Sequence, residues 1–335
     1  MNITVLGDGG WGTTLSILLN QKGYHVTLWS PFADYAKYLD KKRENKRFLP
    51  GIKIPKKINI TSDLSSCLLD KEIIILAIPS IYLRAVLKNI KRYKIPNSLW
   101  VSAIKGIEEN TLLRMSEVIR EELGKIDLAV ISGPTIAQEV ARGIPTTVVA
   151  VSPKKKISQF LQNVFITERF RVYTNDDLIG VELGGSLKNV IAIAGGIADG
   201  LGFGTNTKAA ILTRGLAEIT RLGITMGAKA QTFFGISGLG DLVTTCMNPL
   251  SRNRTVGEKI GQGKKLNQIL KKMEMVAEGV ITTKSAYQLS LKYKVEMPIT
   301  QEVYAILYKG KSPHKAVQDL MSRRGKDENP FSYSK

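Results

Sequence analysis

Short apolar runs, many of them β-branched, recur through the first half of the chain and are separated by stretches with helical spacing. This alternation is typical of βαβ units and predicts a parallel sheet covered by helices. The predicted strands are Ile3–Leu6, His25–Trp29, Glu72–Ile78, Leu99–Ala103, Leu128–Ile131, Thr147–Val151 and Arg171–Tyr173. The predicted helices between them are Thr13–Lys22, Ile81–Lys91, Thr111–Leu123 and Lys156–Val164.

The pattern changes near Asn175. Beyond it, apolar residues recur at helical spacing and no clear strand run follows, as in the stripe from Leu183 to Ile197 and in Leu212–Leu222. We therefore predict an α/β chain with two domains. Residues 1–178 would form a Rossmann-like parallel-sheet domain, and residues 179–335 an all-helical domain for substrate and catalysis.

The chain has 335 residues, of which 43% are hydrophobic and 23% charged, the balance of a globular protein. It contains no uninterrupted apolar run of about 18 residues, and the strand-like start at Met1 lacks a leader pattern. We therefore predict a cytoplasmic protein without an integral membrane segment. Two cysteines, Cys67 and Cys246, are too few for a disulfide framework or a zinc site, so we expect core thiols and no metal.

A formal net charge of +19 is the unusual bulk property. Basic surfaces bind polyanions, whereas a lysine-rich composition with an anionic substrate and cofactor gives the same charge. The basic residues are scattered, and no aromatic stacking platform accompanies them. We therefore predict no nucleic-acid partner.

The segment Gly7-Asp8-Gly9-Gly10-Trp11-Gly12 fits G-x-G-x-x-G. It follows the first strand, opens a helix and precedes a second strand by about 20 residues, the context of a dinucleotide site. In such a turn Gly7 permits the tight bend, Gly9 lets the backbone approach a pyrophosphate, and Gly12 allows close helix–strand packing. The N–H groups at the helix start then face the phosphates.

The end of the second strand decides between NAD and NADP in many such sites, through an acid or an arginine. Here it reads Trp29-Ser30-Pro31-Phe32, with neither. The choice between NAD and NADP therefore stays open. Asp34 lies late enough to belong to the first turn of a helix.

Two lysines stand out by position. Lys105 follows a predicted strand at the carboxyl edge where open α/β sheets bind ligands, although a solvated loop lysine fits as well. Lys188 shares a helix face with Gly184, Gly185 and Gly195. Glycine costs roughly 1 kcal/mol per residue inside a helix, so either a ligand approaches this face or another helix packs closely on it. Both explanations stay open.

A third cluster begins at Gly238-Leu239-Gly240-Asp241 and continues with Ser251-Arg252-Asn253-Arg254. Arginine forms bidentate bonds to phosphate, and serine and asparagine complete a set of partners for a polyol phosphate.

Together with other strings in the same order, these motifs resemble the bacterial glycerol-3-phosphate dehydrogenases of the soluble NAD(P)-dependent type. The other strings are Arg47–Gly51, Ala77–Ser80, Lys105-Gly106, Ser132–Ala137, Glu182–Asn189 and Val276–Gly279. The resemblance implies reduction of dihydroxyacetone phosphate to sn-glycerol 3-phosphate with NADH or NADPH, for glycerophospholipid precursor synthesis.

The resemblance also implies residue roles. Lys188 is the general base on the C2 hydroxyl during oxidation and returns the proton during reduction. This requires burial or nearby positive charge, from Lys105 or Arg252, to lower the lysine pKa from about 10.4. The implied substrate contacts are Lys105, Gly133, Thr135, Lys188, Asp241, Ser251, Arg252 and Asn253. The implied cofactor contacts, with Gly7, Gly9 and Gly12, are Gly10, Trp11, Pro31, Phe48, Lys105, Ala137, Arg252, Val276 and Glu278.

The chain departs from the family pattern at three positions. Gly10 stands where serine is frequent, which should matter little because main-chain N–H groups bind the phosphates. Pro31 replaces a basic residue, which removes the expected partner of an NADP 2′-phosphate. Phe48 replaces tyrosine and keeps the ring. The alternatives are a hydroxyacid or ketopantoate-type reductase, and a basic scaffold with a vestigial nucleotide site. The oligomeric state stays open, with a homodimer as one option.

Overall fold

The computed structural model describes residues 1–93, 97–273, 275–325 and 327–328. The chain divides into two compact units. The first consists of Met1–Lys105 and Leu113–Leu178, and the second of Gly106–Leu112 and Ile179–Lys335. A short internal segment of the sequence therefore belongs to the second unit.

The first unit is built on an eight-stranded sheet with the order β3-β2-β1-β4-β5-β6-β7-β8. The strands are β1 Asn2–Leu6, β2 His25–Trp29, β3 Asn59–Thr61, β4 Ile73–Leu76, β5 Leu99–Ser102, β6 Asp127–Ser132, β7 Thr146–Val151 and β8 Phe170–Asn175. Neighbouring strands run parallel except β6 and β7, which are antiparallel. The predicted Rossmann-like sheet is confirmed, with this one antiparallel pair as a departure.

Strand β3 was missed in the sequence. It has three residues, pairs only with β2, and buries only Ile60 fully. A strand this short at a sheet edge shows no alternation of apolar and polar positions.

The interior of the sheet is buried on both faces, as strand β4 shows. In β4, Ile73 and Ile75 belong to one apolar cluster, and Ile74 and Leu76 belong to another. Because successive side chains of a strand point to opposite faces, the two clusters lie on opposite sides of the sheet. This explains the uninterrupted apolar run that predicted the strand.

Seven helices belong to the described part of the first unit. They are α1 Gly10–Gln21, α2 Ala33–Lys42, α3 Leu64–Leu68, α4 Ser80–Ile90, α5 Met115–Leu123, α6 Ala137–Ala141 and α7 Lys155–Phe165. Asp34 lies in the first turn of α2, as predicted. Helix α5 begins at Met115 and not at Thr111, because Gly106–Leu112 packs with the second unit, where Ile107 is part of the core.

The regular elements of the described second unit are helical, as predicted. They are α8 Leu178–Gly200, α9 Thr205–Thr225, α10 Ala230–Phe233, a π-helical turn at Ile236–Gly240, α11 Asp241–Met247, α12 Arg252–Gly261, α13 Leu266–Lys271, α14 Glu278–Lys292, α15 Pro298–Lys309 and α16 Pro313–Met321. Helix α8 is long and apolar enough to span a membrane by length and composition, but 89% of its most apolar window is buried in the structure. We interpret it as a core helix.

Both cysteines lie in apolar cores, as predicted. Cys67 belongs to a cluster of the first unit, and Cys246 to the core of the second.

Candidate active site

The glycine turn joins β1 to α1 at the carboxyl end of the sheet. Gly7 has φ +125°, a conformation that other residues rarely adopt. A Cβ on Gly12 would lie 1.9 Å from the Gly7 carbonyl oxygen, so only glycine allows the helix to approach the strand this closely. The structure therefore gives both glycines the geometry that the motif predicted.

The N-terminus of α1 is open to a ligand. The helix has no side-chain cap and no acidic residue in its first turn, so its first N–H groups lack acceptors within the helix. A Cβ on Gly9 would meet no heavy atom within 4 Å, which leaves space beside these N–H groups. Free N–H groups, the positive helix end and an open backbone fit the pyrophosphate of a dinucleotide.

The side chain of Asn45 fixes the turn in place, which the sequence did not reveal. Its Nδ2 donates to the Asp8 carbonyl oxygen at 2.7 Å and to Thr13 Oγ1 at 2.8 Å. Its Oδ1 accepts from the Tyr35 hydroxyl at 2.7 Å and from the Phe48 N–H at 3.1 Å. Because Asn45 lies 37 residues from Asp8 in the chain, no local pattern could have indicated this contact.

Asp8 is a second functional candidate that the motif treated as a variable position. Its carboxylate is buried and accepts a hydrogen bond of 2.5 Å from the Ser30 hydroxyl, directly after β2. Burial raises the pKa of Asp8, while the bond from Ser30 and the charge of Arg47 act in the opposite direction. An acid is therefore present beside the end of β2, supplied by the glycine turn.

Three predicted cofactor residues meet at the start of α1. A Cβ on Gly10 would lie 2.6 Å from the Phe48 carbonyl oxygen and 3.6 Å from the Ala137 Cβ. Glycine at position 10 thus lets the segment around Phe48 approach the helix, and a serine there would displace that segment. Trp11 is half-buried and packs against the core, whereas Pro31 is exposed.

Lys105 lies at the carboxyl edge of the sheet, as predicted. It is half-buried, and its Nζ donates to the Gly133 carbonyl oxygen at 2.7 Å. Thr135 Oγ1 lies 3.4 Å from the same Nζ and donates to the Gly133 carbonyl at 3.2 Å. The structure therefore brings three of the predicted substrate residues together on loops of the first unit.

Lys188 lies in the second unit, where it is 6% exposed. Its Nζ donates to Asp241 Oδ1 at 2.8 Å and also contacts the Thr245 hydroxyl. The sequence led us to expect positive charge around this lysine, but its direct partner in this unit is a carboxylate. The two side chains form a buried ion pair, so each satisfies the charge of the other within the unit.

Two glycines on α8, Gly184 and Gly196, pack closely against neighbouring main chain. A Cβ on Gly184 would lie 2.8 Å from the Ser237 carbonyl oxygen, and one on Gly196 would lie 2.0 Å from the Arg254 carbonyl oxygen. At Gly195 the nearest atoms, in Cys246, are 3.9 Å away, which is ordinary contact. Close helix packing, one of the two explanations left open by the sequence, therefore accounts for Gly184.

Ser251, Arg252 and Asn253 begin α12. Ser251 caps the helix by accepting from the Arg254 N–H at 3.3 Å. Asn253 is buried, and it donates to Asn189 Oδ1 at 2.8 Å and accepts from the Gly279 N–H at 2.9 Å. Two of the three predicted substrate residues thus hold the start of α12 in place.

Arg252 is the exposed member of this string. Its Nη1 donates to the Val276 carbonyl oxygen at 2.7 Å, and the charge of Glu278 acts on its guanidinium. The cofactor contacts predicted in the second unit are Arg252, Val276 and Glu278, and the structure makes them neighbours. These site assignments stay predictions.

Comparison with known proteins assigns nearly the whole chain to one family. The family described as NAD-dependent glycerol-3-phosphate dehydrogenase N-terminus matches residues 2–158, and the corresponding C-terminus family matches residues 177–318. The chain belongs to this dehydrogenase family. The glycerol-3-phosphate dehydrogenase (NAD(P)+) of a Thermoanaerobacter species is 50% identical over 328 residues, which cover 98% of this chain and 99% of that protein.

Two further relatives extend the comparison. The glycerol-3-phosphate dehydrogenase (NAD(P)+) of Carboxydothermus hydrogenoformans is 50% identical over 335 residues, covering 99% of each chain. The crystal structure of glycerol-3-phosphate dehydrogenase from Coxiella burnetii is 39% identical, with a TM-score of 0.92 and coverage of 96% of this chain and 99% of that one. The resemblance inferred from the ordered motifs is confirmed.

Proposed function

We propose that this member of the glycerol-3-phosphate dehydrogenase family reduces dihydroxyacetone phosphate to sn-glycerol 3-phosphate with NADH or NADPH, and so supplies a glycerophospholipid precursor. Family membership supports the reaction. The observation that carries the chemistry is the buried ion pair of Lys188 with Asp241. In this proposal residues 1–178 bind the dinucleotide and residues 179–335 supply the catalytic lysine.

Lys188 is the proton donor in the direction of reduction. A bound reduced nicotinamide supplies the hydride that the C2 carbon of the ketone receives. The Lys188 ammonium gives a proton to the C2 oxygen, which becomes the hydroxyl, and the neutral amine then takes a proton from water. Asp241 keeps the amine charged and directed through the bond of 2.8 Å. In the oxidative direction the neutral amine accepts the hydroxyl proton.

Two further groups complete the proposal. The ammonium of Lys105 stabilises negative charge on an oxygen as it develops, while Gly133 and Thr135 orient that ammonium. Arg252, at the N-terminus of the ten-residue helix α12, binds the phosphate of the substrate. The cap from Ser251 and the bridge through Asn253 support this role because they fix the helix end.

The proposal includes a cytoplasmic location and a homodimeric state. Nicotinamide nucleotides and triose phosphates are cytoplasmic metabolites, which supports the first. Size-exclusion chromatography with light scattering tests the second, and a mass of one chain, 36.9 kDa, would contradict it.

The deciding experiment compares initial rates of NADH and NADPH oxidation with dihydroxyacetone phosphate, and with ketopantoate as the control substrate. We expect turnover of the phosphorylated ketone only. Oxidation with ketopantoate but not with dihydroxyacetone phosphate would contradict the proposed reaction.

A further inference from the structure

Arg254 ends the basic string Ser251–Arg254, but its side chain binds a carboxylate of the protein. Its Nε donates to Asp199 Oδ2 at 2.7 Å, and its Nη1 lies 3.7 Å from Glu258 Oε2. The other oxygen of Asp199 pairs with Lys208 Nζ at 2.6 Å. Asp199 lies near the end of α8, Arg254 in the first turn of α12 and Lys208 in the first turn of α9. One carboxylate therefore joins three helices of the second unit.

Helices α8 and α12 contact each other through their main chains. Four glycines make this contact, namely Gly196 and Gly200 on α8 and Gly257 and Gly261 on α12. A Cβ on any of them would lie 2.0–2.5 Å from a carbonyl oxygen of the other helix. The two glycines of each helix are four residues apart and so lie on one face. The glycine faces therefore bring the two helix backbones together without side chains between them.

The same two helices also meet beside the residues of the proposed chemistry. Asn189 follows Lys188 on α8, Asn253 follows Arg252 on α12, and Asn253 Nδ2 donates to Asn189 Oδ1 at 2.8 Å. The contacting pairs along the helices include Asn189–Asn253, Ile193–Gly257 and Ile197–Gly261. Because residue numbers rise together in these pairs, the helices lie side by side in the same direction. A shift of one helix along the other would therefore move Lys188 relative to Arg252.

Two directional bonds fix how α12 lies along α8. Asn253 and Arg254 are adjacent on α12, whereas their partners Asn189 and Asp199 are ten residues apart on α8, about 15 Å along the helix axis. Lys208 holds the second oxygen of Asp199, so the carboxylate keeps its orientation. Because the glycine contacts remove side chains from the interface, these two bonds supply directional contacts that oppose sliding and tilting of α12.

We propose that Arg254 is a positioning residue which, through Asp199, sets the separation between Lys188 and Arg252 and so the length of phosphorylated ketone that the second unit accepts. The inference rests on the proposed function, which assigns the proton to Lys188 and the phosphate to Arg252. Covalent bonds fix the distance range between the C2 oxygen and the phosphate of the substrate. Both groups therefore meet their partners only when the two helices keep their register.

The first test compares two ketones that differ only in the phosphate. The ratio of kcat/KM for dihydroxyacetone phosphate to kcat/KM for dihydroxyacetone is measured with NADH in the unaltered protein, in Arg254→Ala and in Arg254→Lys. Dihydroxyacetone needs Lys188 but not Arg252, so Arg254→Ala should lower the ratio about tenfold. Arg254→Lys keeps a cation for Asp199 and should restore most of it. Because both rates come from one preparation, a loss of folded protein cancels in the ratio.

Lys311→Ala is the matched control for the loss of an ion pair between helices. Lys311 pairs with Glu302 of α15 at 2.5 Å and with Asp319 of α16 at 2.7 Å, in the same unit. This variant removes a cation that joins two helices but leaves α8 and α12 unaltered. The ratio should therefore stay at the value of the unaltered protein.

The second test measures binding without turnover. Isothermal titration gives the dissociation constants of sn-glycerol 3-phosphate and of inorganic phosphate. Arg254→Ala should weaken the binding of sn-glycerol 3-phosphate about tenfold, because that ligand spans Lys188 and Arg252. It should leave the binding of inorganic phosphate unchanged, because that ligand needs Arg252 alone.

Three outcomes would overturn the role of Arg254. They are an unchanged ratio in Arg254→Ala, an equal fall of the ratio in Lys311→Ala, and equal weakening of both ligands in Arg254→Ala, which would make Arg254 a direct phosphate ligand. Absence of turnover by an unaltered protein that binds sn-glycerol 3-phosphate would count against the proposed reaction, and the titrations would still decide the role of Arg254. Failure of the unaltered protein to bind sn-glycerol 3-phosphate would overturn both.

Discussion

The glycine turn of the first unit and the Lys188 cluster of the second use different parts of the chain. The turn presents main-chain N–H groups beside an open space at Gly9. The cluster consists of charged and hydroxyl side chains buried on two helices, and Lys188 on α8 lies 53 and 57 residues from its partners Asp241 and Thr245 on α11. A main-chain site depends on backbone geometry, whereas a buried ion pair depends on each partner being present. The two regions should therefore respond differently to substitution.

The largest expected effect is the loss of kcat caused by a substitution in the Lys188 cluster of the second unit. Lys188→Ala removes the proposed proton donor, and kcat should fall by about 10²- to 10⁴-fold. The dissociation constant for NADH, measured by quenching of tryptophan fluorescence, should stay nearly unchanged. The surface variant Lys315→Ala is the control, because that side chain is 61% exposed on α16. A kcat within threefold of the unaltered enzyme would contradict the role of Lys188.

The next effect separates substrate binding from chemistry. Arg252→Ala removes a guanidinium at the start of α12, and the KM for dihydroxyacetone phosphate should rise about 10- to 100-fold. Steady-state kinetics at saturating NADH measures this change. Arg214→Ala, on α9, is the control for loss of an arginine from the same unit. An unchanged KM for Arg252→Ala would contradict the proposal that Arg252 binds the phosphate of the substrate.

The glycine turn separates stability from binding within one motif. Gly12→Ala forces a Cβ against the Gly7 carbonyl, and the free energy of unfolding should fall by about 1–3 kcal/mol in urea titrations. Gly9→Ala adds a Cβ to open space at a residue with φ −65°, so stability should be unchanged. The added methyl group occupies the phosphate space, and the dissociation constant for NADH should rise about tenfold. Equal loss of stability in both variants would contradict this separation.

The smallest effect tests a buried charge of the second unit that lies outside the Lys188 cluster. Glu218 accepts hydrogen bonds from the Ile299 N–H at 2.6 Å and the Thr300 N–H at 3.1 Å, at the start of α15. Burial raises the pKa of Glu218 to about 7, although these bonds and the charge of Arg221 lower it. Because the folded pKa lies above the ordinary value of 4.5, the stability it contributes is full below pH 4.5 and is lost as the pH rises through 7.

This group should lower the free energy of unfolding by about 1 kcal/mol between pH 6 and pH 8. Urea titrations across that range should show the decrease in the unaltered protein and in the control Glu258→Gln. The variant Glu218→Gln should lack it. An identical slope in all three proteins would exclude Glu218 as the cause.

The main-chain site was the more predictable of the two regions. The geometry at Gly7 and Gly12 could be predicted from the sequence. Only glycine tolerates the positive φ of Gly7 and the close approach of the main chain at Gly12. The strands of the sheet interior were equally visible, since burial on both faces leaves an uninterrupted apolar run. The short edge strand at Asn59–Thr61 and the antiparallel pairing of β7 left no such pattern.

The side-chain contacts were less predictable. Asn45 and Asp241 form hydrogen bonds with residues that are far away in the chain. The sequence around a polar residue does not indicate which distant residue it will contact. The resemblance suggested Lys188 and Asp241 separately. Their direct ion pair, and the carboxylate where positive charge was expected, follow only from the three-dimensional fold.

The segment Gly106–Leu112 has a consequence for how the chain is made. Its Ile107 lies in the core of the second unit, and Glu109 pairs with Lys284 at 2.8 Å. During synthesis these residues emerge before the rest of the unit to which they belong. More than sixty residues of the first unit, Leu113–Leu178, are translated before the remainder of the second unit follows. A gene fragment cut after residue 178 would separate the segment from its core. The later half would then be translated without Ile107, so the halves cannot be expressed independently as complete folding units.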